Sequence, residues 1–142
     1  MSAPYLHAFA VFEYGLQNTI EANSTDQIRC LDIGTGTGVL IAMFDVATTA
    51  LFGRERRREI IGTEVNDDLV NLARANLHRF YSQHEASRSP SLRWSVERRD
   101  YDTFEAESMD FIHIGALLEP HQLANVVKLL KPGGVLLTPR AT

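Results

Sequence analysis

Hydrophobic and polar positions along the chain change period repeatedly. Short apolar runs at residues 28–33, 60–64, 109–114 and 135–138 have the length of buried strands. Leu92, Trp94 and Val96 alternate with polar neighbours, as in a strand with one face less buried, nearer a sheet edge. Helical spacing fills the intervals. Leu6, Phe9, Ala10, Leu16 and Ile20 mark a helix over residues 4–20, with Ser2 as a candidate N-cap and Pro4 in its first turn. Residues 37–51 read as a helix with few polar positions, hence well buried. Asn66 or Asp67 caps a third helix running to about residue 83, with Leu69, Leu72, Ala73 and Phe80 on one face. Pro120 begins a fourth, with Leu123, Val126, Val127 and Leu130 as its apolar stripe, and "KPGG" stops it.

Strands alternating with helices at these intervals predict an α/β domain with a parallel sheet covered on both faces. With right-handed crossovers the expectation is a Rossmann-like doubly wound sheet of strand order 3-2-1-4-5. Ligands of such sheets sit at the carboxyl ends of the strands, where the first and fourth part. The stretch "CLDIGTGTGVL" places a glycine-rich turn there.

Composition narrows the setting. The 142 residues fit one domain over 1–142, with neither repeats nor low-complexity tracts. A net charge of −4 exerts no global pull toward nucleic acid or an anionic membrane, and neither is an expected partner. The basic run "RERRR" at 54–58 reads as a solvated loop, since Glu55 and Glu59 break it up. Cys30 is the lone cysteine, so no internal disulfide forms, and its apolar setting predicts a small buried side chain. The apolar region 39–52 is too short to span a bilayer, and the N-terminal residues lack the basic segment of a signal peptide. A cytoplasmic protein is the expectation.

The chemistry turns on the spacing of the turn. A dinucleotide site uses G-x-G-x-x-G, whereas here the pattern is G-x-G-x-G with Asp32 two residues ahead. A pyrophosphate favours helix N-terminal amides and no nearby carboxylate. A ligand bearing an ammonium and a sulfonium is attracted to that carboxylate, and S-adenosylmethionine is such a ligand. Glu64, ending the second strand, can accept both ribose hydroxyls, and Asp100, beside Tyr101 past the third, can accept the adenine amine. Each acid also has a structural alternative: Asp32 as a turn cap, Glu64 as a cap of the next helix, Asp100 as a solvated loop acid. No metal site is expected.

These residues resemble motif I and its successors in class I S-adenosylmethionine-dependent methyltransferases, as does "LLKPGGVLLTP". Two stretches resemble protein-L-isoaspartate (D-aspartate) O-methyltransferases more narrowly: "SAPYLHAFAV" at 2–11 is similar to S-A-P-H-x-H-A, and "MDFIHIGALLEP" at 109–120 to Y-D-A-I-H-V-G-A. The resemblance implies Ser2 as a substrate-proximal catalytic serine and His7 as a cofactor-side histidine. It implies that Asp32, Gly34, Thr35 and Gly36 cradle the methionine part, that Glu64 with Val65 holds the ribose, and that Asp100 and Tyr101 frame the adenine. His113 is expected to be structural. The substrate implied is an isoaspartyl residue of a damaged protein, whose carboxylate is methylated for repair.

The chain departs from the family pattern in several places. Tyr5 replaces the first histidine of S-A-P-H, and "RRDYD" replaces G-D-G, making Asp102 a rival of Asp100. Relative to that pattern the chain is short at both ends and lacks the usual C-terminal antiparallel hairpin, which leaves a fifth-strand edge for a homodimer or another partner. Two other functions compete: methylation of another acceptor, and a non-catalytic S-adenosylmethionine-binding or scaffold module. An arginine acceptor is disfavoured because only Glu119 follows the fourth strand where a glutamate pair is needed.

Overall fold

The computed structural model describes residues 27–84, 89–115 and 118–138. In chain order these form β1 (Gln27–Ile33), α1 (Val39–Phe52), β2 (Arg57–Thr63), α2 (Asp67–Gln83), β3 (Leu92–Glu97), a 3-10 turn (Tyr101–Thr103), β4 (Met109–Ile114), α3 (Pro120–Val127) and β5 (Leu130–Leu137). The strands make one sheet in the order β3-β2-β1-β4-β5. Every neighbouring pair is parallel, as the alternation of elements predicts. The expected helix at 4–20, with Ser2 and His7, lies outside the described residues.

Period-two alternation along β1 sends successive side chains to two separate cores. Ile28 and Cys30 join Ile60 and Phe111 against Ile41, Phe44 and Ala47 of α1 and Val70, Ala73, Leu77 and Tyr81 of α2. Leu31 joins Ile61, Ile112 and Ile114 against Val126, Leu129 and Phe104. Burial, reinforced by the nearby Asp110 carboxylate, pushes the Cys30 thiol well above its ordinary range, so it stays a protonated core side chain. Helix ends follow local chemistry. The Asn66 side chain accepts the Leu69 N–H at 3.1 Å, with Asp67 and Asp68 in the first turn complementing the helix dipole. Pro120 opens α3, and Gln122 Oε1 accepts the Glu119 N–H at 2.9 Å.

Three elements differ from expectation. The buried stripe of α2 is Val70, Ala73, Leu77 and Tyr81, and Leu72 is exposed. The Tyr81 hydroxyl donates to Asp45 Oδ2 at 2.8 Å, a polar anchor that an apolar count does not register. β2 begins at Arg57, inside the basic run read as a loop, and Arg58 is almost fully buried because Asp45 of α1 receives its guanidinium. β5 begins at Leu130 and absorbs "KPGG" within the strand, where the register against β4 shifts between Met109 and Phe111. Gly133 takes φ 79° there. The Lys131 ammonium pairs with Asp110 at 2.9 Å, pinning the irregular stretch to β4.

Candidate active site at the end of the first strand

After β1 the chain turns through residues 34–38 into α1. Gly34, Gly36 and Gly38 have φ of 75°, 58° and 85°, a left-handed backbone that suits glycine. The Gly34 and Thr35 N–H groups both donate to Thr63 O of β2, at 2.9 and 3.0 Å. A Cβ built on Gly34 or Gly36 meets nothing within 4 Å among the described residues, so no described side chain crowds the outer side of the turn. Gly62 has the opposite role. A Cβ there would lie 2.7 Å from Ile41 Cδ1 and 2.9 Å from Thr35 Cβ, so its missing side chain lets the turn settle onto β2. Gly62→Ala is therefore expected to destabilise the fold by about 1–3 kcal/mol, as overpacking typically does. Urea denaturation checks this, and a loss below about 0.5 kcal/mol would contradict the close approach.

Asp32 stands between Gly62 of β2 and His113 of β4 in the register of the sheet. Its side chain is 1% exposed. Oδ1 accepts the His113 Nδ1–H at 2.7 Å, whereas Oδ2 is buried with no partner among the described residues. Such an oxygen has lost its water and gained nothing in exchange, a cost that a bound donor or cation would remove.

Glu64 follows β2 and binds the turn from the other side. Gly36 N–H donates to its Oε1 at 3.3 Å, and Val65 and Asn66 N–H donate to Oε2 at 2.8 and 3.1 Å. Its own N–H donates to Glu97 O at 3.1 Å, tying in the end of β3. The carboxylate thus serves as a cap ahead of α2 while reaching the glycine turn, so the structural and ligand readings converge on one side chain. Oε1, with a single long bond, retains a lone pair for a further donor. Val65 is exposed beside it.

Hydrogen bonds therefore join Gly34, Thr35, Gly36, Glu64 and Val65 around the end of β2, and Asp32 lies in the same sheet layer. Thr35 is buried, its side chain turned in against Gly62 and its hydroxyl without a partner among the described residues, so its backbone is what the turn presents. Asp100 and Tyr101 lie one strand further out, at the 3-10 turn after β3. Asp100 and Asp102 are exposed, while Tyr101 packs against the second core. No described hydrogen bond links these residues to Glu64. Sequence reasoning took His113 as structural without naming its partner, which is Asp32. It passed over Gly62, which admits the turn, and Gly115, whose N–H donates to Ile33 O at 3.1 Å and closes β4 against β1. The signals were a histidine and a glycine facing Asp32 on its two neighbouring strands. Among the described residues no group of three or more His, Cys, Asp or Glu side chains is arranged to hold a metal.

Comparisons with known proteins place this geometry. A Plasmodium falciparum crystal structure, assigned as a protein-L-isoaspartate O-methyltransferase and in complex with S-adenosyl-L-homocysteine, matches with a TM-score of 0.66 at 23% identity. The match covers 100% of this chain and 62% of that one. A carbon methyltransferase, DszA, matches with a TM-score of 0.65 at 19% identity, over 96% of this chain and 36% of that one. An S-adenosyl-L-methionine-dependent methyltransferase structure from Methanococcus maripaludis matches with a TM-score of 0.56 at 18% identity, over 92% and 56%. At such identities the likeness establishes a shared Rossmann-like methyltransferase fold. No curated protein matches by sequence. The sequence pattern of one family, however, extends over residues 1–141, and on it the chain belongs to the protein-L-isoaspartate(D-aspartate) O-methyltransferase family.

Proposed function

We propose that this chain binds S-adenosylmethionine at the turn after β1 and methylates the side-chain carboxylate of isoaspartyl residues in damaged proteins. The observation that carries the reading is the buried Asp32 Oδ2, without a partner among the described residues, beside the glycine turn, in a chain matched along nearly its whole length by this family. The residues fit a ligand with a cationic amino-acid end. Asp32 would attract its ammonium, Gly34, Thr35 and Gly36 would present backbone to the methionine part, and Glu64 beside Val65 would accept ribose hydroxyls. Asp100, with Asp102 as its rival, would accept the adenine amine, and Tyr101 would flank the ring. His7 would stand on the cofactor side.

When bound, S-adenosylmethionine supplies a methyl group already activated by its sulfonium. The protein then has little acid–base work to do, because a carboxylate is a nucleophile at neutral pH. Its task is alignment, and the hydroxyl of Ser2, donating to the carboxylate oxygen that does not react, would fix the line of attack. The methyl ester so formed can close to a succinimide as the neighbouring backbone nitrogen displaces methanol, which is the first step of repair. Cys30, a single thiol shut away from solvent, suits a reducing cytoplasm. β5, which with β3 forms the two edges of the sheet among the described strands, is the edge on which a second copy or a partner would pair.

The test is transfer of labelled methyl from S-adenosylmethionine to an isoaspartyl peptide and to its aspartyl twin. Base-labile label confined to the isoaspartyl peptide, and lost in Ser2→Ala without loss of cofactor affinity, is the expected result. Equal labelling of the twins, or none by a protein that binds cofactor, would contradict the proposed acceptor.

A further inference from the structure

His113 occupies the next-to-last position of β4, opposite Asp32 in the sheet register. The hydrogen bond between them is short, 2.7 Å, and the imidazole is 15% exposed where the carboxylate is 1%. Phe44 of α1 meets the imidazole edge-on with ring centres 6.3 Å apart, and Leu137 of β5 lies alongside in register. Among the described residues, Asp32 is the charged group in contact with His113. The other charges on the packed elements are paired elsewhere: Arg29 of β1 with Glu59 at 2.8 Å, Asp110 of β4 with Lys131 of β5 at 2.9 Å, and Asp45 of α1 with Arg58 at 2.5 Å.

We propose that His113 is a positioning residue for the amino-acid end of the cofactor, holding Asp32 by Oδ1 so that Oδ2 receives the ligand ammonium. The proposal rests on the reading of the turn as an S-adenosylmethionine site. A carboxylate held at one oxygen by an N–H donor presents the other in a fixed direction. The charge-assisted hydrogen bond made in that direction weakens once the carboxylate is free to turn.

The experiment is calorimetric titration of the full chain at pH 7 with S-adenosylhomocysteine, beside 5′-methylthioadenosine, which keeps the nucleoside and lacks the amino-acid end. His113→Leu removes the N–H that holds Oδ1. It is expected to weaken S-adenosylhomocysteine binding about five- to tenfold while leaving methylthioadenosine affinity unchanged, which also reports an intact fold. His113→Asn keeps an N–H donor and is expected to restore most of the lost affinity. Unchanged S-adenosylhomocysteine affinity in His113→Leu, an equal loss for both ligands, or no rescue by His113→Asn overturns the role of His113 and leaves the site standing. Failure of both ligands to bind the parent protein overturns the site, and the proposal with it.

Discussion

Asp32→Asn is expected to weaken S-adenosylhomocysteine binding by about 10- to 100-fold while leaving the melting temperature unchanged or raised. The loss follows from replacing the oxygen that accepts a charge-assisted hydrogen bond from the ligand ammonium, worth about 1.5–3 kcal/mol, by an amide NH2 group that cannot accept one. The effect on stability has the opposite sign because of burial. In the parent, Oδ2 belongs to a nearly inaccessible carboxylate and has no partner among the described residues. The amide keeps the shape and can still accept from His113 Nδ1, but it does not carry a buried charge. Strain of this kind is concentrated at functional sites and relieved by their ligand. A variant that loses both affinity and stability would make Asp32 a structural residue, and the site reading would lose its central element.

Arg58→Met should produce the largest loss of stability, about 3–5 kcal/mol, because it strands a buried carboxylate. Arg58 Nη1 donates to Asp45 Oδ1 at 2.5 Å and to Thr49 Oγ1 at 2.6 Å, and Nε donates to Arg56 O at 3.2 Å. Tyr81 of α2 reaches the other Asp45 oxygen, so a single cluster joins α1, β2 and α2. Methionine fills the stem volume but leaves Asp45 with hydroxyl donors alone. The double variant Asp45→Leu, Arg58→Met should recover much of the loss, since a buried ion pair is often no better than apolar packing. Urea denaturation of the two variants settles the point. A single variant within about 1 kcal/mol of the parent would contradict the cost of the stranded carboxylate.

That cluster also marks where the sequence stopped being legible. Strand order, the place of the glycine turn and the cap at Asn66 followed from period, length and cap chemistry, all local properties. Arg58 did not, because a basic run looks the same whether water or a buried aspartate receives one of its guanidiniums. The stripe of α2 was misplaced for the same reason, its phase being set partly by a tyrosine hydroxyl bound to that aspartate. "KPGG" reads as a stop to any local rule, yet pairing with β4 and the Lys131–Asp110 contact hold it in a strand. At the candidate site, the placement of Asp32 and Glu64 around one turn was legible because strand ends in a doubly wound sheet converge. The contact of Asp32 with His113 spans 81 positions and depends on the β1–β4 register, which no local pattern encodes.

The central claim is that the turn after β1 is a site for S-adenosylmethionine. The most direct measurement is calorimetric titration of the full chain at pH 7 with S-adenosylmethionine, set beside NADH as the dinucleotide that the turn spacing disfavours. One-to-one binding of S-adenosylmethionine, weakened by about 10- to 100-fold in Asp32→Asn and absent for the dinucleotide, is the predicted result. Binding of the dinucleotide instead, or no heat with S-adenosylmethionine up to about 1 mM, a free energy of only about 4 kcal/mol, would contradict it.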